Sequence, residues 1–362
     1  MSRRCHLFYI LLRFWTYNDT MRYISKLYRS VLLSACLAAL AVSCAKDPTY
    51  PQNYSTDKVL GAWVEMHYGD IPKDTSGIYI LEEVQGTGRK TEDTSFVFVN
   101  YTRKGLDMAV SSTNDPDLLE MQGSLEGTAG RTFYLGPRIW RMGQGVLPYG
   151  VESALRRMRE GGRIKIAVPV GRSKVNYQLY QQFSSSEKDN VIYDLELVRV
   201  LNDISAYQDS LLKDYSMKYF GGVDTVYRGF YLAKVGQAAE PDSLEDDDKV
   251  AIRYIGRRLD GTVFDTNIPD SAAFYKLDAS SGDSLVFTYN KNLLKMYNDN
   301  SGYIYGFTMA INRMRHKDTV EAFFSSEFAY GAAGQSSSIP EYSPLSFKIF
   351  IQEEASSKDD ED

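Results

Sequence analysis

Apolar and polar positions run through one series of periods and then through the same series again. Leu60, Trp63 and His67 lie at near-helical spacing within Lys58 to Tyr68 and predict a short helix. After Gly77, the residues Ile78, Ile80 and Leu81 predict a strand, closed by a turn at Gln85-Gly86-Thr87-Gly88. Phe96 and Phe98 alternate with Val97, Val99 and Tyr101, so both faces are apolar and the strand is expected at the centre of a sheet. Thr113 to Thr128 is polar and loop-like, and Phe133 to Gly136 reads as a strand end. Val151, Ala154, Leu155 and Met158 follow the i, i+3, i+4, i+7 rule of one amphipathic helical face, stopped by Gly161-Gly162. Ile164, Ile166 and Val168 form a half-buried strand, and Val191 to Val200 a closing strand.

The second series begins with Leu211, Leu212, Tyr215 and Tyr219, a helix that mirrors Lys58 to Tyr68. Gly229-Phe230-Tyr231-Leu232 then mirrors Gly77-Ile78-Tyr79-Ile80. Val250, Ile252 and Tyr254 alternate with Ala251, Arg253 and Ile255, Asp260-Gly261 turns the chain, and a short run ends in Phe264-Asp265. Tyr254 stands where Tyr101 stood. Phe307, Ala310, Ile311 and Met314 repeat the first helical face, and Val320, Ala322 and Phe324 repeat the strand after it. The chain is thus expected to be an internal duplication of one α+β unit of about 130 residues, enough for its own core. An antiparallel sheet wrapped around one short helix is the economical packing for each copy. The expected boundaries are 75–203 and 225–354, joined by a helix over 204–224. Asp47 to Thr56 reads as a tether, with 44–74 covering tether and short helix. The second copy adds a loop at Lys291 to Ser301, and the charged run Glu353 to Asp362, acidic over 355–362, is expected to be disordered.

Composition narrows the function. The formal charge of −6 argues against a nucleic-acid partner. Residues 1–43 hold six basic side chains and one acidic one, so the body without them is more acidic still. The three cysteines, Cys5, Cys36 and Cys44, leave none for a disulfide framework or thiolate metal site in the body. His67 and His316 are too few and too far apart to suggest zinc, haem or a Ser/His/Asp triad. His316 reads as a cation at a helix C-terminus, and no cofactor or metal is expected.

The amino-terminal segment reads as a targeting signal. From Met21, which looks like the true start, basic Arg22, Lys26 and Arg29 precede an apolar run from Val31 to Val42, too short for an ordinary membrane span. Leu40-Ala41-Val42-Ser43-Cys44 resembles the lipobox of bacterial lipoproteins. That resemblance implies an acylated Cys44 as first mature residue and a protein held at the cell envelope by acyl chains, at the outer membrane with its face, periplasmic or surface, left open. A plain cleaved signal with an incidental cysteine is the simpler alternative.

Tyr254-Ile255-Gly256, then Leu259 to Asp265, then Phe328-Ala329-Tyr330-Gly331-Ala332-Ala333-Gly334 and Ile339-Pro340, with Leu345 to Phe350 as last strand, resemble the FK506-binding-protein (FKBP) type of peptidyl-prolyl cis-trans isomerase in order and spacing. The resemblance implies two tandem FKBP-like units. It places Tyr254, Phe264, Asp265, Ile304, Tyr330, Ile339 and Phe347 on the family's pocket positions. Phe307 stands at the floor, where tryptophan is commoner, Leu285 replaces a wall phenylalanine, and Ser338 an aliphatic residue. In the first copy Tyr101 remains, Ala109-Val110-Ser111-Ser112 stands in place of the Phe-Asp pair, Val151 is at the floor, and Gly171-Arg172-Ser173-Lys174 replaces the second signature. That copy is expected to keep the fold and lack the site.

The chemistry such a pocket performs needs no nucleophile. Amide resonance sets a rotation barrier of about 18–20 kcal/mol, and a dry aromatic cavity favours the twisted bond over the planar one. The resemblance gives Tyr330 OH the role of donor to a substrate carbonyl, while Asp265 would either orient Tyr254 OH or polarise the twisted amide. Taken singly, aromatics at alternating positions are ordinary sheet core, and a carboxylate after a turn is ordinarily solvated. The joint order of eight positions over about 95 residues separates the pocket from that bland reading. The expected partners are proline-containing polypeptides outside the cytoplasm, with a non-catalytic chaperone or protein-binding lipoprotein as the alternative. A glycan-binding surface protein ranks behind both, because only Trp63 and Trp140 lie outside the leader.

Overall fold

The computed structural model describes residues 52–236, 242–277, 285–291 and 303–352. Both sheets lie within one compact unit that starts at Asn53. Helix α1 (Gln52–Tyr68) leads into β1 (Tyr79–Val84), β2 (Phe96–Lys104) and β3 (Val110–Thr113). Two short helices, α2 (Pro116–Met121) and α3 (Gly127–Thr132), precede β4 (Arg138–Arg141), α4 (Tyr149–Arg157), β5 (Gly162–Val168) and β6 (Val191–Leu201). Helix α5 (Ile204–Phe220) then opens the second half. It is followed by β7 (Thr225–Tyr227), β8 (Phe230–Gly236), β9 (Lys249–Arg258), β10 (Val263–Thr266), α6 (Pro269–Tyr275), β11 (Leu285–Thr288), α7 (Tyr305–Ile311), β12 (Thr319–Phe324) and β13 (Leu345–Gln352).

The two sheets have the same topology. The first runs β1-β5-β6-β2-β3 with β4 also on β2, and the second runs β8-β12-β13-β9-β10 with β11 on β9 and β7 added beyond β8. All of these pairings are antiparallel. Each sheet closes over its own helix. Val151, Ala154, Leu155 and Met158 pack with Ile164, Ile166, Val168, Val97 and Val99. Phe307, Ala310, Ile311 and Met314 pack with Val320, Ala322, Phe324, Val250 and Ile252. Both helices open on a Tyr-Gly pair for one reason: a Cβ on Gly150 would lie 2.6 Å from Val168, and one on Gly306 2.6 Å from Phe324. The helix must sit that close to the sheet to fill the concavity without voids.

The outer faces are also matched. Leu60 and Val64 of α1 cover Leu81, Ala167 and Ile192 of the first sheet. Leu212 of α5, with Tyr215 and Phe220 beside it, covers Ala233 and Phe323 of the second. Each copy is therefore a three-layer α/β/α arrangement built on the α+β plan expected from the repeat.

Four local readings change. Helix α1 begins at Gln52, so the end of the expected tether is helical. It is held there by Lys73 Nζ donating to Asp57 at 2.5 Å, and by the Asn190 side-chain amide donating to the Thr56 carbonyl at 2.6 Å. The polar stretch after Thr113 contains helix α2, started by Asp115, whose carboxylate accepts from the Asp117 and Leu118 amides, with Pro116 in the first turn. Phe133 to Gly136 is irregular, and the strand lies at Arg138–Arg141, where Ile139 and Trp140 are buried. His316 lies past the end of α7 in the turn before β12, with Nε2 3.2 Å from Asp248 Oδ2, not at a helix terminus. Cys44, most of the Lys291 to Ser301 loop and the tail from Glu353 lie outside the described residues.

Candidate active site

The second sheet gathers the expected pocket residues on its concave side. Ile304, Phe307, Ile339 and Phe347 are buried in one cluster, with Tyr254, Phe264, Leu285 and Tyr330 packed against it. Their rings meet edge to face: Tyr254 with Phe307 at 5.6 Å, Phe264 with Phe347 at 5.7 Å, and Phe307 with Phe347 at 5.4 Å. Such offset contacts are the favoured geometry of aromatic quadrupoles and hold the walls in one arrangement. Tyr303, not singled out from the sequence, stacks on Phe307 at 6.1 Å.

Strand positions explain the assembly. Asp265 on β10 pairs with Gly256, two residues along β9 from Tyr254, and Tyr254 OH reaches diagonally across the hairpin to donate to Asp265 Oδ2 at 2.7 Å. Behind them Thr266 Oγ1 donates to the Tyr254 carbonyl, and the Tyr254 amide donates to Asn267 Oδ1 at 2.9 Å. These bonds fix both ends of the Tyr254 peptide, so the ring and the carboxylate keep their relation. Burial raises the Tyr330 hydroxyl pKa, and the nearby Asp265 charge pushes the same way. Tyr330 thus stays a neutral donor at physiological pH, with the Asp265 carboxylate near enough to act on it. Nothing in this constellation is a nucleophile or a metal-binding cluster, and among the described residues no three His, Cys, Asp or Glu side chains come together.

The narrowest point is Gly256. It pairs with Asp265 on one side and Phe347 on the other. A Cβ there would sit 2.9 Å from the Phe264 and Phe347 rings. In the first copy the corresponding residue, paired with Ser112 and Tyr193, is Arg103. Its guanidinium donates to Ser111 Oγ at 2.8 Å and pairs with Glu187, both side chains being largely shielded from solvent. The wall position occupied by Leu285, opposite Ile252, is occupied in the first copy by Arg138, opposite Val99. Charged side chains thus stand at positions where the second copy has a glycine and an apolar residue. Sequence reading found the lost Phe-Asp pair and passed over the Gly-to-Arg exchange, which was legible once Tyr101 and Tyr254 were aligned. It also passed over Ser112-Thr113-Asn114-Asp115-Pro116-Asp117 against Asp265-Thr266-Asn267-Ile268-Pro269-Asp270, a repeat whose Thr and Asn make the same backbone bonds in both copies.

Residues 240–352 match the family model described as FKBP-type peptidyl-prolyl cis-trans isomerase. The second copy is an FKBP-type domain. The chain is 33% identical over 103 residues to the macrophage infectivity potentiator of Trypanosoma cruzi, covering 28% of this chain and 41% of that protein. It is 28% identical over 134 residues to the FKBP-type 22 kDa peptidyl-prolyl cis-trans isomerase of Escherichia coli strain K12, covering 36% of this chain and 53% of that protein. The chain thus spans about half, or less, of the length of these curated relatives. Among solved structures, that of the three FKBP domains of wheat FKBP73 is 17% identical, with a TM-score of 0.27 over 77% of this chain and 94% of that one. Within the FKBP-type domain, Gly256, Tyr303 and Asn267 join the residues expected from the sequence as ones that contact or brace the aromatic cluster.

Proposed function

We propose that the chain is a peptidyl-prolyl cis-trans isomerase acting on X-Pro bonds of proteins outside the cytoplasm, through the apolar aromatic pocket of its FKBP-type domain. One observation carries the reading. The Tyr254–Asp265 hydrogen bond of 2.7 Å stands beside the aromatic cluster of Phe264, Phe307 and Phe347, inside the matched segment. A prolyl ring fits against such rings by burial of apolar surface alone. The amide nitrogen of a planar X-Pro bond shares its lone pair with the carbonyl, and twisting localises it again. A dry wall withholds the water that solvates the planar, charge-separated form, and Tyr330 OH supplies a donor for the carbonyl of the bound peptide. Asp265 keeps Tyr254 OH turned away from the substrate and lends a fixed negative charge to the rim.

The same reading places the protein at the cell envelope, anchored by acyl chains on Cys44, with proline-containing polypeptides as clients. What supports this is the residue pattern before Cys44; among the described residues no helix is long and apolar enough to cross a membrane.

The test is cis/trans exchange in a short X-Pro peptide catalysed by the full chain. Asp265→Ala should lower kcat/KM by roughly tenfold to a hundredfold, the loss of a charged hydrogen bond of about 1.5–3 kcal/mol. A folded wild-type chain without catalysis would sink the proposal. It would leave the non-catalytic chaperone reading, which suppression of aggregation of a proline-free client would support.

A further inference from the structure

Ile339, packed in the apolar cluster of the FKBP-type domain, is carried on a loop, residues 335–342. That loop does not stand free. Ser337 accepts a hydrogen bond on its carbonyl from the Tyr134 amide at 2.9 Å. The Ser338 hydroxyl bonds Thr132 Oγ1 at 2.6 Å. Arg258, buried at the end of β9, donates from Nη1 to the carbonyls of both Thr132 (2.7 Å) and Ser338 (2.5 Å). Glu341, almost wholly buried, accepts from Arg138 Nη2 at 3.1 Å and from Gln182 Nε2 at 2.7 Å. Arg138 Nε also lies 3.1 Å from Glu341 Oε2, close enough for the ion pair though not aligned for a further hydrogen bond. Tyr342 is buried in the core cluster of the first copy, edge-on to Phe96 at 5.2 Å.

The surface that receives the loop is the first copy's own pocket region. A 180 Å³ cavity survives beside Tyr101 and Ser112, and Ser336 and Ser337 of the second copy line its mouth together with Arg138 and Gln182. Arg138 stands at the strand position of the wall residue Leu285. Ser338, which takes an aliphatic position in the family resemblance, is the residue whose hydroxyl meets Thr132.

We infer that the first copy has turned its vestigial proline site into a dock for the rim loop of the second, and that Arg138, through Glu341, is a positioning residue for Ile339 and hence for substrate fit. The inference rests on the isomerase reading for its functional half and on the interface alone for its structural half. A buried carboxylate needs its cation: with Arg138 gone, Glu341 must find water, and the loop must move to let it. Loss of loop position loosens the prolyl wall and leaves Tyr254, Asp265, Phe307 and Phe347 where they are. Binding therefore weakens more than turnover.

The experiment uses the full chain with Arg138→Met, Thr132→Val and the double variant Arg138→Met/Glu341→Met. Two readouts are followed: amide hydrogen exchange at Ile339 and Tyr342, whose N–H groups bond the Gln335 and Gly331 carbonyls, and KM and kcat on an X-Pro peptide. Arg138→Met should speed exchange at those amides more than about tenfold, with β9 amides unchanged, and raise KM about tenfold with kcat within about twofold. The double variant, which removes the charge along with its partner, should recover most of both. Thr132→Val, uncharged and isosteric, should give the same pattern at about two- to threefold and serves if Arg138→Met does not fold. Wild-type exchange and wild-type KM in a folded variant overturn the inference while leaving the isomerase reading intact. Absence of activity in the wild-type chain sinks the isomerase reading instead, and exchange still decides the dock.

Discussion

Tyr101 and Tyr254 stand at equivalent places on equivalent strands, and each hydroxyl makes a 2.7 Å hydrogen bond across its hairpin. In the second copy the partner is Asp265; in the first it is Ser112. The backbone bonds behind them, from Thr113 and Asn114 or from Thr266 and Asn267, are the same. Two copies can therefore share a sheet, a hairpin and a tyrosine, and differ in the side chains gathered around that tyrosine. The difference is set by what stands beside the tyrosine. Gly256 leaves room for Phe264 and Phe347, whereas at the equivalent position Arg103 brings a guanidinium that pairs with Glu187. The fold supplies the frame, and a few side chains decide whether it holds a site.

The largest effect that would sharpen this comparison is on stability. Trp140 is fully buried in the first copy, 5.4 Å from the Tyr101 ring and 5.0 Å from Phe183. Trp140→Ala should cost about 3–5 kcal/mol, read as a lowered urea midpoint. A loss under about 1 kcal/mol would mean that the first copy is not the packed body described.

Next comes the exchange of the narrow residue. Gly256→Arg should bring isomerase activity to background by occupying the cavity, and even Gly256→Ala should lower kcat/KM about tenfold by displacing the two rings. Full activity in either folded variant would break the account of what the glycine does in one copy and the arginine in the other.

A smaller contrast lies in alkaline behaviour. Burial raises the pKa of Tyr180 and Tyr193 in the first copy far above the ordinary 10.0. In the unfolded chain both ionise near 10.0, so above that pH the unfolded state binds fewer protons and stability falls as pH rises. The stabilisation is fully present below pH 10 and is lost through the alkaline range. Denaturant midpoints followed between pH 8 and 11 should decline only past about pH 10. A midpoint flat through pH 11 would contradict the buried placement.

The smallest expected effect is none. In an Asp265→Ala background, Ser112→Asp should add nothing to the residual isomerase activity, because the Arg103–Glu187 pair still stands at the first site. A kcat/KM above that of Asp265→Ala alone would show that the lost carboxylate, and not the charged pair, separates the copies.

Much of this was legible along the chain. The helical face at Val151 to Met158, its repeat at Phe307 to Met314, and the strands after each are short-range periods, and they fold as their spacing indicates. Asp115-Pro116 also carried a helix start in plain sight, and reading its neighbourhood as loop overlooked a cap that needs only two residues. Arg103 was harder to see. An arginine at a strand end reads as solvated, and only the register that sets it between Ser112 and Tyr193 makes it the counterpart of Gly256.

By itself the sequence determined the duplication, the α+β plan of each copy and the residue types of an aromatic cavity in the second, because periodicity and side-chain identity are local properties. Tertiary structure alone decided how the two copies meet. Thr132 lies 206 residues from Ser338, and Arg138 lies 203 from Glu341. No local pattern encodes such pairs. They exist because two segments distant in sequence present complementary hydrogen-bonding groups, and because a buried carboxylate such as Glu341 is stable only where a guanidinium from the other copy reaches it.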